Sequence, residues 1–180
     1  MTSAQEKAII SEVLSGQQDQ FRFLVERYHR GLVTHLYNLI HEQQTAEDIA
    51  QEAFIRAYDK LSLYNETYAF STWLYKIADN IAYRHLKQTK ITLDYDDVAE
   101  ATPDDKPSLD EVTDRQLTAQ TVRSSIDSLP VMYRQVISLY YWDEFSYEEI
   151  SVIMDRPVGT VRTWIHRAKE ELRKELYGQV

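Results

Sequence analysis

Between Thr160 and Lys169 the chain places two guanidinium groups, a hydroxyl and an imidazole, on Arg162, Thr163, His166 and Arg167, at spacings of one to four residues. Projected at about 100° per residue, Thr163, His166 and Arg167 fall on one face of a helix, with Arg162 at its flank. Such side chains read base edges in the DNA major groove, where arginine forks onto guanine and hydroxyls pair with several bases. The other face of the same stretch carries Val158, Val161, Ile165, Ala168 and Leu172, an apolar stripe that must lie on a scaffold. The scaffold's nearest piece is written just before it. Ser146 and Glu149 have the S-x-x-E spacing of a capping box, and Phe145 and Ile150 stand where a hydrophobic staple closes a helix start. Pro157 lacks an N–H and pushes Arg156 out of the α region, so that helix stops near Asp155 and a tight turn leads into the next. The pattern predicts a helix-turn-helix with its second helix turned towards duplex DNA. The competing reading is a plain helical hairpin with a solvated outer face.

Two earlier stretches carry further chemistry. One helix is expected to open at Thr45, with Asp48 at the acidic position of a T-x-x-D cap. Ile49, Ala50, Ala53, Ala57 and Leu61 form its inward face. Asp48, Glu52 and Asp59 share the outward stripe with Ile55, and Gln51 lies at its edge. Like charges at i,i+4 cost an isolated helix about 0.2–0.5 kcal/mol. Docking of a basic partner would explain the stripe, and so would simple solvation; the residues alone leave both open. The next helix spans about Phe70 to Lys90, with Phe70, Trp73, Leu74, Ile77, Ala78 and Ile81 inward. Thr72, Lys76, Tyr83 and Lys87 are expected outward, Asn80 beside them and Arg84 nearer the core edge. Tyr64, Tyr68 and Phe70 precede or open this helix, and aromatic faces beside cations suit single-stranded DNA, whose bases stack on rings while Lys and Arg follow the phosphates. Phe70 and Trp73 read better as core. Tyr64, Tyr68 and Tyr83 fit either role.

The remaining elements are scaffold. Thr2 to Ser15 reads as a short helix with Ala8, Ile9, Val13 and Leu14 available to pack, and Gln17 to Ile40 as a longer one. Residues 91–114, with Pro103 and Pro107, interrupt the helical pattern and read as an acidic, flexible linker. Helices over about Arg115–Leu129 and Val131–Trp142 then lead into the helix-turn-helix, completing a four-helix module. The fold class is all-α. Apolar content of 43% with 27% charged residues fits folded domains rather than disorder. The net charge of −9 looks wrong for a DNA binder until it is divided, because residues 91–114 hold nine acidic side chains against one basic. Residues 156–174 hold six Lys or Arg against two Glu. The chain has no cysteine, which removes disulfides and thiolate metal sites and suits a reducing cytosol. No apolar stretch reads as a signal peptide or membrane span. Neither a Gly-rich phosphate loop nor an H-E-x-x-H occurs, and Glu26 with His29 makes a single E-x-x-H where a di-iron bundle needs two. No catalysis, metal, cofactor or small-molecule substrate is expected.

Four segments together, AEDIAQEAF (46–54), FSTWLYKIADN (70–80), LPVMYRQVISL (129–139) and the run from Phe145 to Leu172, resemble the sigma subunits of bacterial RNA polymerase, in the compact extracytoplasmic-function group. The resemblance implies a region 2-like domain over 1–90, a linker over 91–114 and a region 4-like helix-turn-helix domain over 115–180. It implies that Asp48, Gln51, Glu52 and Ile55 dock on core RNA polymerase. It assigns Tyr64, Tyr68, Lys76, Asn80, Tyr83, Arg84 and Lys87 to opening and reading the minus-ten element as single strand. Arg162, Thr163, His166 and Arg167 would read the minus-thirty-five duplex, with Thr160 and Lys169 on phosphate. An anti-sigma factor, often membrane-bound, would be a further partner of an otherwise cytoplasmic protein. Asp79 departs from the family pattern, as does the weakly basic RHLKQTK, and both argue against phosphate contacts there. The alternatives are a stand-alone helix-turn-helix regulator and a helical adaptor that binds no DNA.

Overall fold

The computed structural model describes residues 3–88 and 119–178, and all regular structure among them is helical. The described residues fall into two compact units, one mainly of residues 3–88 and the other mainly of residues 119–178. Residues 91–114, read above as a linker, lie outside the described residues, as do 115–118 at the expected start of the following helix.

The first unit holds α1 (Ser3–Leu14), α2 (Phe21–Ile40), α3 (Gln43–Asp59) and α4 (Phe70–Gln88), with single 3-10 turns at Gln18–Gln20 and Leu61–Leu63. Ala46, Ala50, Ala53 and Ala57 are all fully buried, so α3 packs tightly between its neighbours through methyl groups rather than long side chains. Leu24, Leu32, Leu36, Phe70 and Leu74 fill the space they leave. Gly31 serves one close approach: a Cβ there would lie 3.1 Å from the Tyr75 hydroxyl. Chain reversal after α2 uses His41 in the left-handed region (φ 61°), with its N–H donating to the Tyr37 carbonyl at 2.8 Å.

Three local expectations are corrected in this unit. Helix α3 starts at Gln43, not Thr45, because the Glu42 carboxylate accepts from the N–H groups of Gln44 (3.0 Å) and Thr45 (2.6 Å). That frees Asp48 from a capping role. In α1 the buried face is Glu6, Ile10 and Val13, while Ala8 and Leu14 face outward. Hydrophobicity alone could not place a carboxylate inside. The inward face of α4 is also rotated: Thr72, Tyr75, Asp79, Ala82 and Leu86 are buried, while Trp73 and Ile77 are only half-buried. Thr72 is therefore core rather than surface. The rotation follows from Asp79, whose carboxylate meets the His35 imidazole of α2 at 2.8 Å with both side chains 1% exposed. A hydrogen-bonded polar pair can be buried at the centre of a helix pair in place of apolar contact.

The second unit holds α5 (Ala119–Ser128), α6 (Val131–Ile137), α7 (Tyr147–Met154) and α8 (Val158–Tyr177). Helix α6 runs into a π-helical turn over Ser138–Trp142, closed by Asp143 N–H to the Ser138 carbonyl at 3.1 Å. The widened turn interrupts the regular helix expected to reach Trp142, and it leaves Tyr141 and Trp142 exposed. Arg134 is buried and donates to the Asp127 carbonyl at 2.9 Å, satisfying a backbone acceptor in the last turn of α5. Burial lowers its pKa, against an opposing pull from Asp127.

Candidate nucleic-acid interface

The capping box at the start of α7 forms as the sequence predicts. Ser146 N–H and hydroxyl both donate to the Glu149 carboxylate, at 2.9 and 2.7 Å, and Glu149 N–H returns to the Ser146 hydroxyl at 3.3 Å. Phe145 and Ile150 are both buried beside it. Helix α7 ends at Met154, Asp155 turns into the left-handed region (φ 55°), and the Ser151 hydroxyl donates to the Arg156 carbonyl at 2.6 Å. Pro157 then sets the entry of α8 with φ −55° and ψ 144°. Val161, Ile165, Ala168 and Leu172 are buried, joined by Trp164, an indole the apolar spacing did not single out.

This leaves Arg162 and His166 exposed on α8, with Thr160, Thr163, Arg167 and Lys169 half-buried. Thr163 donates its hydroxyl to the Gly159 carbonyl at 3.0 Å, leaving its oxygen's acceptor capacity outward. His166 lies 3.6 Å from Glu170. Two cations are steadied by aromatic faces that the sequence reading did not connect with them. The Arg162 guanidinium sits 5.7 Å from the Tyr147 ring centre, and Lys169 Nζ lies 5.8 and 5.4 Å from the rings of Tyr140 and Tyr141. Tyr140 and Tyr147 are stacked at 5.1 Å. Burial, then a hydrogen bond with Tyr140, pushes the Tyr147 hydroxyl up to about 12, so it stays a neutral donor. The signal was present as the YYW run of the π-turn, but only the widened turn brings it alongside α8.

In the first unit, Asn80, Arg84 and Lys87 are exposed along α4, with Lys76 and Tyr83 half-buried beside them. Arg84 stands outside rather than at the core edge, its Nε donating to the Asn80 carbonyl at 3.1 Å. Asp79 does not belong to this stripe, since its side chain is buried against His35 of α2. Tyr64 is half-buried, its ring 5.8 Å from Phe70 and 5.4 Å from Trp73, and its hydroxyl donates to the Tyr68 carbonyl at 2.7 Å. Burial first, then the charges of Glu6 and Glu66, pushes that hydroxyl up to about 12. Tyr68 is exposed, and Leu63 beside this segment is 74% exposed, an apolar tip that helical periodicity did not flag because it sits in a 3-10 turn.

On α3, Asp48, Gln51 and Ile55 are exposed and Glu52 is half-buried, ion-paired with Arg56 one turn on. Asp48 accepts from the Gln44 side chain at 3.0 Å. Asp48, Gln51 and Ile55 border a groove between α2 and α3, floored by Val25, Phe54 and Tyr58, with the His29 ring stacked on Phe54 at 6.2 Å; Glu52 does not line it. Among the described residues, no group of His, Cys, Asp and Glu side chains is placed to hold a metal.

The family described as Sigma-70 region 2 matches residues 24–91, and that described as Sigma-70, region 4 matches residues 119–172. The ECF RNA polymerase sigma factor SigW of Bacillus subtilis is 38% identical, with 94% of this chain and 96% of the relative covered. The RNA polymerase sigma-H factor of Pseudomonas aeruginosa is 35% identical, covering 98% and 96%. Among solved structures, the sigma factor RpoE of Bartonella quintana, in complex with the anti-sigma factor NepR, superimposes with a TM-score of 0.66 at 22% identity, covering 87% of this chain and 96% of that one.

Proposed function

The chain belongs to the extracytoplasmic-function sigma factors of RNA polymerase, and from that premise we propose how its two helical units divide the recognition of a promoter. It is a transcription initiation factor that joins core RNA polymerase and directs it to promoter DNA. The finer assignment is ours. Residues 115–180 anchor to the minus-thirty-five duplex through Arg162, Thr163, His166 and Arg167, with Thr160 and Lys169 on phosphate. Residues 1–90 dock on core through Asp48, Gln51, Glu52 and Ile55. The same domain captures unstacked minus-ten bases through Tyr64, Tyr68, Lys76, Asn80, Tyr83, Arg84 and Lys87, and residues 91–114 link the two. Capture of single strand by the first domain shifts the duplex towards the open state without any covalent step.

The observation that carries this reading is the face of α8 that sets exposed Arg162 and His166 beside half-buried Arg167 and Lys169, presented by the capped helix α7. A reading helix that works beside polymerase has no need to hold DNA unaided. An anti-sigma partner is part of the same proposal, supported by the relative solved with one, with the polymerase-docking face as its target. No helix among the described residues is long and apolar enough to cross a membrane.

Purified protein with and without core polymerase, on fragmented genomic DNA, tests the proposal. Discrete transcript starts are expected only with both, together with feeble DNA binding by the protein alone. Tight, dimeric binding to a palindrome without polymerase would establish the stand-alone regulator instead. Absence of both behaviours would leave the helical adaptor.

A further inference from the structure

Helix α1 lies entirely before the residues matched as region 2, which begin at 24. Yet it reaches the start of α4 and the aromatic segment before it. The Glu6 carboxylate is buried and is the shared acceptor of two donors: the Phe70 backbone N–H at 3.2 Å, and the Tyr28 hydroxyl of α2. Burial, then the hydrogen bond to Glu6, drives the Tyr28 pKa upward, which keeps its proton on the shared bond. Phe70 is the first residue of α4, and the residue before it is Ala69, whose methyl side chain has no oxygen to cap the helix. Helix starts need an acceptor at that place and favour a negative charge there. Here it comes from 64 residues away. One residue on, Lys7 pairs with Glu66 at 2.8 Å, a second tie from α1 to the same segment. Between these two ties lie Thr67, which donates its N–H to the Asn65 side chain at 3.0 Å, and Tyr68, whose carbonyl accepts from Tyr64. Tyr64 itself rests on Phe70, the residue that Glu6 holds.

We propose that Glu6, with Tyr28 behind it, is a positioning residue for single-strand capture: it fixes the start of α4 and thereby the shape of the Tyr64–Ala69 segment that meets the unstacked minus-ten bases. The inference rests on the reading of that segment as the base-capturing surface. A carboxylate is suited to the task because its two oxygens accept separately from the Phe70 N–H and the Tyr28 hydroxyl, and because it sets negative charge at a helix start. Lys7 and Glu66 are both exposed and contribute a weaker second tie.

The test uses the holoenzyme on one mapped promoter, as full duplex and as a template already unpaired across the minus-ten element, each with the native base and with a substituted base. Glu6→Ala is expected to reduce discrimination between the two bases on the unpaired template by about tenfold, the size of a lost helix cap, while affinity for core and preference at the upstream element stay at wild-type level. Glu6→Gln, which keeps an acceptor for Phe70 N–H, restores most of the discrimination, and Tyr28→Phe gives an intermediate loss. A merely structural role would lower thermal stability and core affinity together and leave discrimination per bound complex unchanged, which overturns the proposal. Should Glu6→Ala not fold, Tyr28→Phe and Glu6→Gln carry the same comparison. Tyr68→Ala separates the two layers. If it abolishes discrimination while the Glu6 and Tyr28 variants keep it, the clamp alone fails; if it too keeps discrimination, the reading of the segment fails and the clamp with it.

Discussion

Replacing Asp79 separates two views of the residue that make opposite predictions. As a surface charge on the DNA-facing helix it would repel phosphate, and Asp79→Asn would tighten DNA binding and steepen its salt dependence without touching stability. As the buried partner of His35, at 2.8 Å with both side chains 1% exposed, it should do the reverse. Removing one member of a buried pair costs about 3–5 kcal/mol when the other is left charged. An imidazole can shed its proton, so for Asp79→Ala the cost falls towards the lost hydrogen bond plus the lost packing beside Tyr75, whose ring lies 5.0 Å from His35; about 2–4 kcal/mol is expected. Asp79→Asn keeps shape and one hydrogen bond and should cost about 1 kcal/mol. Urea unfolding followed by backbone NMR signals of α2 and α4 reads the first unit without interference from the second. A loss under about 0.5 kcal/mol for Asp79→Ala, the range of ordinary surface substitutions, accompanied by tighter DNA binding, would refute the buried-pair account.

Four further outcomes are expected. Asp48→Arg with Glu52→Arg should abolish co-elution with core polymerase while leaving the helical content unchanged; undiminished co-elution would remove the docking role of α3. Arg167→Ala should weaken promoter use and shift base preference at the upstream element by about 1–3 kcal/mol, whereas an equal loss on every sequence would make it a phosphate contact. Ser146→Ala should cost the second unit about 1 kcal/mol by opening the capping box, read as a lowered urea midpoint with wild-type base preference. The Glu42 carboxyl is held below its usual range by hydrogen bonds from the Thr45 side chain, then the backbone of Thr45 and Gln44. Its contribution is therefore complete above the unfolded value of about 4.3 and is lost as pH falls through the lower folded value. Faster exchange of the Gln44 and Thr45 amides on acidification should report it, and Glu42→Gln should remove the pH dependence.

What the sequence made legible was whatever is local. The capping box, the staple, the Pro157 turn and the apolar stripe of α8 depend on residues within a turn or two of one another, and each forms where the spacing put it. Legibility fell where a distant side chain supplies the missing partner. Asp79 looked like a surface departure because its partner is 44 residues away on another helix. Glu6 was invisible for the same reason, its partners lying 22 and 64 residues on. The start of α3 was misplaced on local grounds instead, because glutamate is not among the usual N-cap residues, yet Glu42 accepts from the amides two and three positions ahead. At the candidate site, residue types and helical faces were readable, whereas the aromatic support of Lys169 needed the π-turn to bring Tyr140 and Tyr141 round, and that of Arg162 comes from Tyr147 on the neighbouring helix α7.

The central claim is a division of labour, with duplex held by one unit and single strand by the other. Permanganate reactivity of thymines combined with a footprint of the holoenzyme on a mapped promoter tests it most directly. The account predicts a protected, fully paired upstream element together with reactive thymines at the minus-ten element, with reactivity lost in Tyr68→Ala and upstream protection lost in Arg167→Ala. Reactive thymines that persist in Tyr68→Ala, or upstream protection that persists in Arg167→Ala, would contradict it.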